Sequence, residues 1–386
     1  MEKKNANIAY YIYFLTMTAG KALGLNSGSG LYNKMFVIAL LFLAIKLIFT
    51  RYTRKEILII VFAVGIGLLS YVRARESTLL FAILAIIGFK NINFKDLMVK
   101  MLWVRSISTI IIMLCAYNGI VPDYTKTMNY GGQDVVMHSM GFSDPNTFFI
   151  NIFMIMAVYI YVNYDKLNGW HFAFVNAVMA AAYKLSHSRT GMLLLCGLWA
   201  LIILDKFVFR SVKSKKIIYS LYTLAPIVVA GISVFFAYNY DPSVKIMKQL
   251  NSMLTGRLFV MNWYVNTYPV TIFGNTYEFW LNNAGTILEI VDNMYITILM
   301  YSGIFVFALY VLCTFAVLVK LIRRKCFIEV IMIATVAVYG FMEEFPLNPI
   351  INPFVILIGM LIFSEDKCNA EKESRDNNEY SLSLQS

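Results

Sequence analysis

The sequence predicts an all-α polytopic membrane protein of about twelve transmembrane helices, with both termini cytoplasmic and a large extracytoplasmic loop between spans nine and ten. Three observations lead there. Of 386 residues, 59% are hydrophobic and only 14% charged, more apolar surface than a soluble core of that length can bury. Apolar stretches close to the roughly 20 residues that a bilayer requires recur from the first ten residues to about Ser364. Lys and Arg collect at the ends of these stretches, on alternate turns of the chain.

Taken in order, spans are expected near 8–25, 35–50, 57–72, 77–89, 101–118, 146–163, 170–185, 191–205, 217–237, 292–319, 327–342 and 350–364. Met1 to Asn7 lead into a first span interrupted by Gly20, Lys21 and Gly24, with no small-residue cleavage site behind it, so an uncleaved anchor is expected. Basic groups at Lys3 and Lys4, Arg51 to Lys55, Lys90 to Lys100, Lys166, Lys206 to Lys216 and Lys320 to Lys325 mark one face, which the positive-inside rule makes cytoplasmic. The Ser-, Asn- and Glu-rich segment 365–386 reads as a disordered tail on that face, following a membrane domain of residues 1–364. The opposite face carries two long loops, 119–144 and 238–291. The longer is rich in Tyr, Trp and Phe, and short helices lying on the membrane surface are expected in both.

Several function classes fall away. The formal charge of +11 sits at helix ends and not on a soluble face, so no nucleic-acid partner is expected. Cys115, Cys196, Cys313, Cys326 and Cys368 form neither a disulfide framework nor a zinc pattern. A phosphate-binding Gly-rich loop, a His-Glu-x-x-His motif and an outer Asp-x-Asp pair are all missing, which removes support for ATP or zinc hydrolysis, and no cofactor is expected. No internal repeat or matched pair of broken helices points to a secondary transporter.

The stretch Tyr238 to Tyr301 is where soluble chemistry has room. Arginines on an outer face run against the topology rule, and four lie there: Arg73, Arg75, Arg189 and Arg257. Arg73 and Arg75 suit either snorkelling to lipid phosphate or substrate binding. Arg189, in a Ser-Arg-Thr-Gly turn, and Arg257, after Gly256, are better placed to clamp a pyrophosphate, since guanidinium groups fork onto phosphate oxygens. Asp292 opens a span and is a candidate general base, with a helix amino-terminal cap as its structural alternative.

His187 is a candidate base or headgroup ligand, while His138 and His171 carry no distinguishing context. Glu278, Glu289, Glu343 and Glu344 are outer carboxylates without distinguishing spacing. Asp144 and Pro145 read as a helix entry, and Asn146 beside them as structure before sugar ligand. Trp263, with Tyr264, Tyr268, Tyr277, Phe279 and Trp280, suits sugar stacking and an interfacial aromatic belt equally.

Gly141-Phe-Ser-Asp-Pro-Asn-Thr-Phe, Ser188-Arg-Thr-Gly191, Thr255-Gly-Arg257 with Trp263 and Phe273-Gly274, then Asp292-Asn-Met-Tyr295 and Ser302-Gly303, taken together and in this order, resemble the bacterial O-antigen and capsular polysaccharide polymerases and the related O-antigen ligase. The resemblance implies a fold like the C-type membrane glycosyltransferases and a reaction needing neither metal nor ATP. It implies that Arg189 and Arg257 hold the pyrophosphate of an undecaprenyl-linked glycan, with Asn293 and Tyr295 in the motif that follows the base. Where the ligases carry His-Asn-x-Tyr, this chain has Asp292, a departure that favours a polymerase over a ligase. The expected partners are undecaprenyl-pyrophosphate-linked oligosaccharide as donor and acceptor, membrane lipids, a chain-length regulator and a flippase. A ligase-type transfer, or a transporter of the same lipid-linked sugar, is the alternative.

Overall fold

The computed structural model describes residues 3–26, 28–130, 133–208, 212–276 and 291–363. The expected tail with Cys368, and Tyr277, Glu278, Phe279, Trp280 and Glu289 of the large loop, lie outside the described residues.

The chain is mostly helical, and seven helical stretches among the described residues are long and apolar enough to cross a membrane. Helices α1 (Lys3–Ala22) and α2 (Gly30–Phe49) pack together, and α1 also packs on α5 (Phe94–Tyr117). Between them α3 (Arg54–Ala74) starts in a capping box, with the Thr53 hydroxyl accepting from the Glu56 N–H and the Glu56 carboxylate accepting from the Thr53 N–H. It pairs with the short α4 (Thr78–Gly88). Helix α6 (Pro145–Val162) is apolar around most of its circumference and correspondingly buried on nearly all sides, against α5 and α7 (Gly169–Ser186). Then come α8 (Arg189–Ile203), α9 (Val212–Tyr222) and α10 (Ala225–Asn239). Pro226, lacking an N–H, stands where α9 would otherwise run on into α10, so the span expected at 217–237 is jointed there.

Two short helices, α11 (Lys245–Met253) and α12 (Arg257–Thr267), fill the described part of the large loop, as the sequence leads one to expect. The smaller loop departs from that expectation. Its residues form an antiparallel hairpin of β1 (Thr125–Tyr130) and β2 (Gln133–His138), with Thr125 opposite His138. Asp123 closes its base, accepting from the Met140 N–H at 2.8 Å and lying 2.6 Å from His138 Nδ1.

The last quarter begins with the single turn α13 (Met294–Thr297), widens through residues 298–302, and continues as α14 (Gly303–Arg323). The widening frees two N–H groups at the start of α14. The carbonyls of Thr271 and Ile272 take them, from Ile304 at 3.0 Å and Phe305 at 3.1 Å. Helix α15 (Phe327–Tyr339) is short, and the span expected at 350–364 is not an α-helix: an irregular turn to Asn352 leads into a nine-residue 3₁₀ segment, Pro353–Leu361.

Irregular backbone at this depth is tolerable only when protein covers it. Arg105, 3% exposed in the middle of α5, does so by donating to the Ile351 carbonyl at 2.9 Å and to Asn151 Oδ1 at 2.8 Å.

The loops sort into two groups that bond among themselves. Asn7, Lys46, Arg51, Glu56 and Lys90 form one network, with Lys90 Nζ 2.7 Å from Glu56 and Lys46 Nζ 2.7 Å from Asn7. At the other ends of these helices, Thr276 donates to the Arg73 carbonyl at 2.6 Å, and residues around 257, 292 and 343 meet.

Candidate functional site

Arg257 owes its position to a turn. Thr255 and Gly256 have φ of 53° and 87°, a left-handed pair that reverses α11 into α12 and makes Arg257 the first helical residue. The Thr-Gly-Arg sequence is thereby explained locally, since glycine takes this backbone without a Cβ penalty and the Thr255 hydroxyl accepts from Arg257 Nη1 at 2.7 Å.

The guanidinium then meets two carboxylates from distant parts of the chain. Its Nη2 is 3.3 Å from Asp292 Oδ2 and 3.2 Å from Glu343 Oε1. Its Nε is buried without a hydrogen-bond partner among the described residues. Glu343 follows the end of α15, where Gly340 turns the chain, and its carbonyl accepts from the Met294 N–H at 3.1 Å. That bond ties the Glu343 turn to the segment carrying Asp292. Asp144, the cap of α6, acts electrostatically on both carboxylates.

The two acids differ in surroundings. Burial is the main influence on Glu343, whose side chain is 10% exposed, and it outweighs Arg257 to push the carboxyl up to about 8, with Asp292, Asp144 and Glu344 adding repulsion. Burial also raises Asp292, opposed by Arg257 and Lys126. With 41% of its side chain open, solvent screens Asp292 far more, so the rise is weaker there. Glu344 is pushed up to about 7 by burial, Asp292 and Glu76, but it faces solvent and the same screening applies.

Among the residues nominated from sequence, Arg257 and Asp292 are brought together. Asn293, not Asp292, is the helix cap: its Oδ1 accepts from the Ile296 N–H at 3.0 Å. Asn293 is fully buried and its amide donates to Ser233 and to the Phe341 carbonyl, both at 3.0 Å, so its side chain serves the interior. Tyr295 is likewise fully buried, donating to the Ala337 carbonyl at 2.9 Å.

Asp144 caps α6 through the Asn146 N–H at 2.7 Å, with Pro145 next, which leaves the half-buried Asn146 at a helix entry. Arg189 is exposed at the start of α8, where Gly191 packs against Phe149 in the first turns of α6. Arg189 is therefore on the end of the molecule that carries the cluster. His187 ends α7 with φ of 51°, its ring tilted against that of Tyr183 with centroids 5.6 Å apart. Arg73 and Arg75 are exposed at the end of α3, Arg75 as its left-handed cap. Trp263, half-buried on α12, meets Tyr264 and Tyr268 edge-on.

Glu343 is the member of the cluster that sequence reasoning passed over. Its partner on α12 lies 86 positions away, and no local spacing signals the contact. No family model, no curated protein and no solved structure matches the chain.

Proposed function

We propose that the chain is an integral-membrane glycosyltransferase that polymerises undecaprenyl-pyrophosphate-linked repeat units on the outer face of a bacterial cytoplasmic membrane. Its product would be capsule, exopolysaccharide or O-antigen. In this reaction a hydroxyl of one lipid-linked unit attacks the anomeric carbon of a glycan carried by another. The bond from that carbon to the pyrophosphate oxygen breaks, the electron pair leaves on undecaprenyl pyrophosphate, and the hydroxyl proton passes to a carboxylate.

The barrier lies in negative charge growing on the leaving group and in a poorly nucleophilic hydroxyl. A guanidinium eases the first and a nearby base the second. The observation that supports this reading is the convergence of Arg257 with Asp292 and Glu343, a phosphate-binding cation and two potential bases within one hydrogen-bond radius. Arg189 supplies a second guanidinium at the same end, and Trp263 with Tyr268 an aromatic wall for sugar.

The test is a reaction of purified protein in liposomes with lipid-linked repeat units, products resolved by size, with neither ATP nor divalent metal added. A ladder spaced by one repeat unit supports polymerisation, and a single larger product supports ligase-type transfer. A second reading has one specific observation in its favour: a carboxylate with raised proton affinity beside an anion-binding arginine suits proton-coupled transport of the same lipid-linked sugar. Intact substrate crossing the bilayer would decide for transport.

A further inference from the structure

We propose that Glu343 takes the proton of the acceptor hydroxyl, and that it does so when Arg257 leaves its carboxylate for the donor's pyrophosphate. This rests on the glycosyltransferase reading and assigns the base within the same site.

Both carboxylates bond the same nitrogen of Arg257, so the guanidinium cannot turn fully onto a phosphate without loosening one of them. Asp292 is at the rim and partly solvated, and water replaces a lost partner there at little cost. Glu343 is covered, and Arg257 is the cation paired with it. The charged groups that face it are Arg257 on α12, Asp292 on the segment before α13, Asp144 at the cap of α6, and Glu344 next in sequence. Arg257 alone among these favours its ionised form. Once Arg257 moves to the donor, burial and three negative neighbours remain, and all of them strengthen the carboxylate as a proton acceptor.

Departure of the guanidinium also uncovers Glu343 Oε1, the atom it had occupied. In molecules whose Glu343 is already ionised, a share that grows as pH rises toward about 8, donor binding therefore uncovers and strengthens the base at the moment the leaving group is clamped. The proton leaves the acceptor oxygen as the new glycosidic bond forms, rests on Glu343, and is returned to solvent after undecaprenyl pyrophosphate departs. A protonated Glu343 no longer competes for Arg257, so the guanidinium stays with the leaving group until product release.

The experiment is polymer formation by the full chain in liposomes, measured from pH 5 to 10 for the wild type, Glu343→Gln, Glu343→Asp and Asp292→Asn. Wild-type kcat/KM should rise tenfold per pH unit and level above about 8. Glu343→Gln should lose about a hundredfold or more in kcat and flatten that rise. Glu343→Asp should keep a rise at reduced rate, which a merely structural role would not preserve, and Asp292→Asn should keep the rise as well. A Glu343→Gln protein with an unchanged rise, or loss of the rise in Asp292→Asn alone, overturns the assignment while leaving glycosyl transfer standing. A wild type that makes no ladder at any pH overturns the glycosyltransferase reading and this assignment with it.

Discussion

At the scale of single residues, neighbours that look interchangeable in sequence have divided the work. Asp and Asn both cap helices well, so Asp292-Asn293 gave no ground for separating cap from acid. The fold resolves it through burial: Asn293 has three neutral partners in the interior, and Asp292 is left facing Arg257. Arg257→Lys keeps the charge but loses the planar fork whose Nη1 reaches Thr255 while Nη2 reaches the two carboxylates, and product ladders should fall about a hundredfold in yield while the protein still inserts. Undiminished ladders would take Arg257 out of the site.

Stability should also depend on pH through these acids. Glu343 has its proton affinity raised from an ordinary 4.5 to about 8, so between those values the folded chain holds a proton that the unfolded chain has released. Its contribution is most favourable at low pH and is lost as pH rises through 8, with Asp292 acting in the same direction. The thermal midpoint in detergent should decline from pH 5 to pH 9, and Glu343→Gln should reduce that slope. A midpoint that climbs over this range would contradict the burial of Glu343.

At the scale of elements, two glycines let one segment cross another. Gly274 and Gly303, with φ of 79° and 89°, stand back to back where residues 271–274 run over the widened turn before α14. A Cβ on Gly274 would run into the Tyr301 carbonyl, and one on Gly303 into the Gly274 nitrogen and the Ile272 carbonyl. Gly274→Ala should therefore cost about 2 kcal/mol or more, read as a lower thermal midpoint, whereas Gly197→Ala, with open space around it, should be near neutral. Phe273-Gly274 and Ser302-Gly303 were visible in sequence as separate motifs, but that they are two sides of one crossing is a tertiary fact.

The hairpin has a local signal in the sequence that the expectation of surface helices at 119–144 leaves aside. Gly131-Gly132 separates two stretches of six residues each, and a two-residue Gly-Gly link is a strong hairpin signal.

At the scale of the molecule, hydropathy reported the long helices well because most expose an apolar surface along their length, as Leu41, Leu58 and Val61 do on α2 and α3, while α6 is apolar because it lies inside the protein. It failed at the carboxyl-terminal apolar stretch, where Pro353 and the bonds of Asn352 replace α-helix by a 3₁₀ segment of similar composition. Sidedness can be tested directly in a chain whose native cysteines are replaced. A membrane-impermeant maleimide should label Ser243→Cys in intact cells and Lys166→Cys only after permeabilisation. The reverse pattern would turn the Arg257 cluster toward the cytoplasm and away from the outer-leaflet substrate proposed for it.

Arg105 bears on how such a chain is made. An arginine central to a spanning helix costs roughly 2.5 to 3.5 kcal/mol to insert alone. Its side-chain partner Asn151 lies 46 positions further on, and the Ile351 carbonyl 246. At synthesis rates of about 5 to 20 residues per second, α5 waits roughly 2 to 9 seconds for α6 and up to about 50 for the turn at Ile351. During that interval the nascent chain carries an unsatisfied charge at the insertion channel, which favours delivering α5 and α6 to lipid as a pair. Chains truncated before α6 should accordingly leave α5 uninserted more often than chains truncated after it, and Arg105→Leu should abolish the difference.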